Sequence, residues 1–422
     1  MSIQILQGAV PQVISQHLDD AVMLRATRAV LVRSPHARLL HLERLDERLT
    51  AHLDGLQGAG PLADALSRQS LETPGVGQLF VAAVGAIERR DEQRLASLLS
   101  LTAAVPDAGR ALASAFGWVP APLLRGIISR LLAGTPEERW VGLAGCLLHR
   151  VDPGPVLADF AAHDDVGLRA WALRAAGELG RADLLAACLA SARHADAAVR
   201  LAATRSALLL GDRGAALAGL QSLARTPGPA QLAALSLLLP AIDTESARAE
   251  VRALAQQEAP LRTMLRAAAW AGDTQVMPWL LKHLQDPALT RLAGESFSFI
   301  TGVDLALIDL ERKPPEEIAA GPNDDASDAD VRLDEDDGLP WPDPQRIAAW
   351  WQTHGTRFAS GTRYFMGEQP STAHCLSVLR TGFQRQRATA AQYLCLLNPG
   401  TPLFNIAAPA WRQQRLLASM AS

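Results

Sequence analysis

Lysine is nearly missing from this chain of 422 residues. Lys282 and Lys313 are the only two, although lysine and arginine together number 40. Its positive charge is therefore arginine, a planar and forked donor. Cysteine is scarce as well: Cys146, Cys188, Cys375 and Cys395 are too few and too scattered for a disulfide scaffold, and no Cys-x-x-Cys occurs. Aromatic residues make up only 5% of the chain. No run approaches the roughly 18 apolar residues that a spanning helix needs; Leu232–Ile242 and Phe80–Ile87 fall short of it and read as buried helix. Excess basic charge is lacking too. With 44 acidic residues the net charge is -4, so neither nucleic acid nor an anionic membrane is attracted by the molecule as a whole. Met1–Val10 lacks the basic, apolar and small-residue pattern of a secretory signal. A cytoplasmic, reducing location is expected.

Recognisable reaction motifs are also missing. There is no phosphate loop ending in Gly-Lys-Ser/Thr and no His-Glu-x-x-His helix. "GLQGAG" at Gly55–Gly60 follows a helical pattern and not a strand, so it reads as a chain break. His374 and Cys375 are adjacent, and neighbours on a helix diverge by about 100°, which argues against a nucleophile–base dyad. No catalytic residue, cofactor or metal is expected.

What the chain does have is apolar mass and a period. Hydrophobic residues make up 49%, enough for a large core. Arg169, Arg200, Gln231 and Arg262 stand 31 residues apart. Each is preceded by an apolar residue (Leu168, Val199, Ala230, Leu261) and followed three, seven and ten residues on by small or apolar ones. Those offsets trace one face of a helix. Gly180, Gly211, Gly272 and Gly302 recur in register as helix-ending residues, with Ile242 where another would fall. Asp164, Asp165 and Asp196 suit N-caps, and Asp196 is spaced to pair with Arg200. Second helices are expected at Ala182–Ser191, Arg213–Ala224, Thr244–Gln257 and Asp273–Gln285, with Pro278 kinking or starting the last. One such helix pair cannot bury both of its apolar faces, but a stack can. "DDVGLRAWALRAAGELG" and "DAAVRLAATRSALLLGD" resemble HEAT-like repeats. The fold expected is all-α: an α-solenoid of helix pairs with helical caps at both ends.

This reading divides the chain into an N-terminal helical cap (1–60), degenerate helical repeats (61–135), the repeat array (136–312), an acidic linker or loop (313–344) and a C-terminal helical module (345–422). From Glu316 to Asp337 there are ten acids and one base, Arg332, leaving the rest of the chain near +5. Such a run is expected to be an exposed loop or disordered linker. Its sharper use is as an acidic arm for an arginine-rich partner or for the chain's own arginines; Asp324, Asp328 and Asp330 lack the glycine and terminal Glu of a calcium loop. The adjacent Trp350 and Trp351 are expected as core anchors.

The segments "ESFSFITGVDL", "LPWPDPQRIAAWW", "GTRYFMG" and "LRTGFQRQRATAAQYLCLLNPGTPLFN" depart from a plain repeat. Together with the repeats they resemble a bacterial family associated with type VI secretion gene clusters. The resemblance implies a cytoplasmic accessory role: binding a secretion spike, a PAAR-like tip or an effector before export, as an adaptor or chaperone-like loader. It carries over no active residue. The expected function is thus a non-enzymatic protein-interaction scaffold, with a protein partner and with neither nucleic acid nor membrane. An immunity protein that occludes a co-encoded toxin is the alternative. A HEAT-like DNA glycosylase or lyase is a weaker one, prompted by Trp118, Trp140, Trp171 and Trp270 beside arginines; the column of Arg174 and Arg205 stops at Ser236 and Ala267. Candidate partner-binding residues are Arg169, Trp171, Arg200, Arg262 and Trp270 on the repeats, Phe297, Phe299 and Asp304 after them, and Arg380, Arg385 and Arg387 in the C-terminal module. Each arginine of the column also suits bonds to neighbouring turns.

Overall fold

The computed structural model describes residues 10–315 and 334–420. Those residues form helices and no strands; pairing of extended backbone is confined to isolated bridges such as Phe365 with Glu368. No described helix is long and apolar enough to cross a membrane. The chain is all-α, and it folds as two compact units.

The first unit comprises residues 1–33, 38–187 and 404–422. Its helices are α1 Pro11–Leu31, α2 Leu39–Gly58, α3 Pro61–Gln69, α4 Val76–Glu88, α5 Glu92–Ser100, α6 Ala108–Trp118, α7 Ile127–Leu132, α8 Pro136–His149, α9 Val156–Ala161 and α10 Val166–Glu178. α11 Leu185–Ser191 crosses into the second unit, residues 34–37 and 188–403. That unit holds α12 Ala197–Leu209, α13 Ala215–Arg225, α14 Gln231–Ala241, α15 Thr244–Gln256, α16 Leu261–Ala271, α17 Met277–His283, α18 Thr290–Thr301, α19 Pro344–His354, α20 Thr372–Thr381 and α21 Gln384–Leu397. The last helix, α22 Ala410–Ser419, returns to the first unit. The stretch 345–422, read from sequence as one C-terminal module, is therefore divided between the two.

Each unit is a solenoid-like stack in two layers. In the first, α1, α4, α6, α8 and α10 pack side by side, and in the second α12, α14, α16 and α18 do the same. The alternate helices form the other layer. Small residues at the column positions let the front helices approach: Ala172, Ala176, Ala203, Ala207, Ala234 and Leu265 are all buried. α4 sits deepest in its unit and is apolar around most of its circumference, from Leu79 to Ile87. The 31-residue register reaches further back than the sequence reading placed it. Gly109 lies under the Trp140 ring and Gly117 under Leu148, each 31 residues before its neighbour, where a β-carbon would crowd the larger side chain.

The punctuation follows from local chemistry. Asp165 accepts the Leu168 amide at 2.7 Å, and Asp196 accepts those of Ala198 and Val199. With its carboxylate so used, Asp196 is not the partner of Arg200, which donates to the carbonyls of His194 and Ala195 at 2.8 and 2.6 Å. Gly180, Gly211, Gly272 and Gly302 all have positive φ, and Pro278 stands in the first turn of α17.

In both units, residues from the C-terminal end of the chain run across the C-terminal ends of front-layer helices, where carbonyls lack intrahelical partners. In the second unit Arg363 donates to Pro240 O at 2.8 Å and Ala271 O at 3.1 Å. Tyr364 N donates to Gly272 O, Met366 N to Phe299 O and Gly367 N to Ile300 O. Gly400 N donates to Leu209 O in the same way. "GTRYFMG" is thus a strap over the ends of α14, α16 and α18. In the first unit Arg412 donates to Gly117 O at 3.0 Å at the end of α6, and Asn405 Nδ2 to Leu148 O at 3.0 Å near the end of α8.

The acidic segment does not end as a free linker. Asp336 is buried and grips Arg262 with both oxygens, at 2.7 and 2.8 Å. Glu335 pairs with Arg266 at 2.9 Å, and Asp334 pairs with Arg291. This is the internal use of the acids, against the chain's own arginines. Asp324, Asp328 and Asp330 lie outside the described residues. Trp350 and Trp351 both pack edge-on against Phe297, as core anchors would, with ring centroids 5.6 and 6.4 Å away.

Candidate functional site

Partner docking needs side chains that are exposed and not already satisfied, and several predicted residues fail that requirement. Phe297, Phe299 and Arg387 are buried in the second unit and are core residues, not docking residues. Arg387 donates to Leu379 O at 2.7 Å and also to Gln384, and burial lowers its pKa to about 10. Arg385 is committed to Glu295 at 2.7 Å and to Glu335 O, and Arg262 to Asp336. Arg200 serves its own N-terminal turn. Arg169, Trp270 and Asp304 are half-buried and Arg380 is exposed; Arg169 belongs to the first unit and the other three to the second. Arg174 pairs with the buried Glu178 at 2.6 Å and lies over the Trp171 ring, so it belongs to a structural network.

Trp171 is different. It edges onto Trp140 with ring centroids 5.2 Å apart and planes at 79°. Both rings line a cavity of about 490 Å³ in the first unit, together with Trp118. The stack creates this neighbourhood by its register. Trp140 and Trp171 are one repeat apart on α8 and α10, and Gly109 one repeat earlier on α6 leaves space for the Trp140 ring. Arg110, Ser114 and Gly117 from α6 line the same cavity.

The opposite wall comes from α1 and from residues 405–409 before α22. One ion pair holds these together. Arg28 on α1 is bidentate to the buried Asp46 of α2, at 2.6 and 3.2 Å, and also donates to the carbonyls of Ala407 and Ala408. Asp46 accepts the Ala410 amide at 2.8 Å as well. Gln413 bonds back to the carbonyls of Ile406 and Ala408, closing the turn. Arg28 also lies 5.6 Å from the centroid of the Trp118 ring. A buried carboxylate that is paired and fully hydrogen-bonded costs less than one left alone, and its geometry fixes the wall.

Arg25, one turn before Arg28, has a different status. It is half-buried against the same cavity, and among the described residues no carboxylate pairs with it. Burial, and then the positive charge of Arg28, lower its pKa. Arg110, at the mouth, is largely exposed and paired with Asp107 at 2.9 Å. None of the three indole N–H groups finds a partner among the described residues. The described lining contains no carboxylate, imidazole or thiol. The arrangement can bind; it offers no general acid or base.

The cysteines lie elsewhere and are buried. Burial, with Asp152 adding to it, pushes the Cys146 thiol up to about 11, and burial pushes Cys188 up to about 12. They are thiols rather than thiolates at neutral pH.

Sequence reasoning named Trp171 as a candidate partner-binding residue and Trp118 and Trp140 only in the comparison with glycosylases, and it missed Arg25, Arg28 and the 405–409 wall. The 31-residue spacing of Trp140 and Trp171 was the available signal for two of the rings. Nothing in the sequence ties α1 to residues 405–409, which are some 380 positions away. Compared with protein-family models, with curated proteins and with solved structures, the chain matches none.

Proposed function

We propose that this chain is a non-enzymatic interaction protein, an adaptor or chaperone-like accessory that holds a segment of a partner protein in the tryptophan-lined cavity of its first unit. The observation that supports this is the combination found there: three clustered indoles with unused N–H donors and an arginine with no carboxylate partner, on a rigid helical stack. Tryptophan and arginine are the residues that most often dominate binding energy at protein interfaces, because they bring large contact area and strong directed bonds. Stacked helices hold such side chains in place, so little ordering entropy is lost when a partner docks. The resemblance to a family near type VI secretion genes adds the partner class: a spike, a PAAR-like tip or an effector held before export.

The test is affinity purification of the full chain from its native cell, followed by mass spectrometry, in parallel with a W140A/W171A variant whose helix content is verified by circular dichroism. Secretion components are expected with the wild type and strongly reduced with the variant. An identical set of proteins from both overturns the cavity as the docking place. Recovery of no secretion component overturns the partner class. If the partner recovered is a toxin and co-expression rescues cells from it, the chain is an immunity protein acting through the same cavity.

A further inference from the structure

We infer that the occupant of this cavity is an acidic, ring-bearing peptide segment: an Asp or Glu carboxylate received by Arg25, with a neighbouring aromatic side chain lodged among Trp118, Trp140 and Trp171. The inference deepens the docking role proposed above and rests on it.

Charge selects the carboxylate. Arg25 and Arg28 lie one turn apart on α1, and the charge of Arg28 disfavours that of Arg25. Arg28 is compensated, because Asp46 takes two of its five donors and the Ala407 and Ala408 carbonyls take two more. Arg25 has no such relief, and a guanidinium does not escape by losing its proton. An arriving carboxylate relieves both the desolvation and the repulsion, and it accepts a forked pair of hydrogen bonds that Arg25 has to offer. A cationic ligand would instead meet Arg25 and Arg110 with no described carboxylate in the lining to receive it.

Shape and surface select the ring. Trp140 meets Trp171 edge to face, and Arg28 and Arg174 lie over Trp118 and Trp171, so the rings are held at fixed angles. Aromatic pairs prefer edge-to-face or offset geometry, which a third ring can extend. The indole N–H groups can bond carbonyls of the incoming backbone. A cavity of about 490 Å³ admits a few residues and not a folded domain. A nucleotide would satisfy some of the same groups. A peptide is favoured because Arg25 matches a single carboxylate, whereas a phosphate chain calls for several cations that are not already paired, and among the described lining Arg28 and Arg110 are paired with Asp46 and Asp107.

The experiment selects a phage-displayed library of random dodecapeptides on the full chain, then measures the enriched peptides against wild type, R25Q, R25K and W140A, with AMP as a competitor. Enriched peptides should carry Asp or Glu within a few positions of Phe, Tyr or Trp. R25Q should weaken them about tenfold or more, R25K less, and the R25Q penalty should shrink at high salt. Thermal melts of the variants verify folding. Peptides that need Trp140 but carry no acid and ignore R25Q would overturn this inference and leave the docking role intact. Peptides indifferent to both variants, or no enrichment at all, would overturn the docking role itself. Competition by AMP at concentrations comparable with the peptides would make the cavity a nucleotide site and refute the peptide assignment.

Discussion

The strap over the ends of α14, α16 and α18 yields a prediction whose size can be worked out. Gly302 closes α18 with φ +74°, and a β-carbon placed there would collide with the carbonyl of Met366. Gly302→Ala therefore carries two costs. The left-handed backbone costs an L-residue roughly 1–2 kcal/mol. Relieving the collision moves the strap, which endangers the bonds from Met366 N to Phe299 O at 2.7 Å and from Gly367 N to Ile300 O at 3.0 Å. Each is worth about 1 kcal/mol. The sum is about 3–4 kcal/mol. Gly361→Ala separates the two costs: Gly361 has φ +78°, but nothing lies within 4 Å of its would-be β-carbon. It should lose only about 1–2 kcal/mol. Urea unfolding of the second unit gives both values, and hydrogen exchange read by mass spectrometry should show faster exchange at 363–367 in Gly302→Ala alone. Equal destabilisation by the two substitutions, with unchanged exchange in the strap, would refute the reasoning.

Two further predictions concern charge. Burial, and then Arg412 nearby, push the pKa of His149 down from 6.5 to about 4, against a smaller opposing pull from its bond to Phe116 O. The folded state thus binds this proton less readily than the unfolded chain, so the stability is present above about pH 6.5 and is lost as pH falls toward 4, by about 2 kcal/mol at pH 5. Urea titrations at pH 7 and pH 5 should show that loss in wild type and less of it in His149→Gln; a His149 imidazole titrating near 6.5 by NMR refutes it. In the acidic clasp, Asp336 is buried and bidentate whereas Glu335 is 65% exposed. Asp336→Asn should cost about 3 kcal/mol and Glu335→Gln about 0.5 kcal/mol or less by urea midpoints, because only the first leaves a charge without its buried partner; similar midpoints for the two would contradict that.

Much of the architecture was readable because it is periodic. The 31-residue column, the closing glycines and the aspartate caps depend on residues close in sequence, and the helices begin and end where those signals stand. Pro278 starting α17 and the paired Trp350 and Trp351 on Phe297 follow from the same local rules. What local pattern could not reveal was use. Arg262 and Arg385 looked like free cations because their acids, Asp336 and Glu295, stand 74 and 90 positions away. Phe297 and Phe299 looked like a departure from the repeat, and they are; the departure makes room for α19 and the strap, which bury them. The acidic run read as a linker because like charges repel, and its described end instead meets four arginines, Arg262, Arg266, Arg291 and Arg385.

The same comparison separates the arginines of the repeated column from Arg25 of the proposed docking cavity. An arginine of the repeated column stands beside the turn that precedes its helix, whose carbonyls are within its reach. Arg200 shows the consequence: its donors go to the two carbonyls just before its helix. Where the periodic pattern meets a segment from far along the chain, the supply of partners is no longer regular. In the second unit the meeting is balanced, since Asp334, Glu335 and Asp336 pair with Arg291, Arg266 and Arg262. In the first unit it is unbalanced. Residues 405–410 bring carbonyls and one amide, and with Asp46 they satisfy Arg28, but they bring no carboxylate for Arg25 one turn away. An Arg25→Ala variant should therefore leave stability within about 0.5 kcal/mol of wild type, or raise it by removing repulsion from Arg28, whereas Arg28→Ala should cost about 3 kcal/mol or more by stranding Asp46. Urea unfolding of the first unit decides between them. A loss at Arg25 as large as that at Arg28 would mean that Arg25 is a structural residue and would remove the carboxylate-receiving role proposed for it.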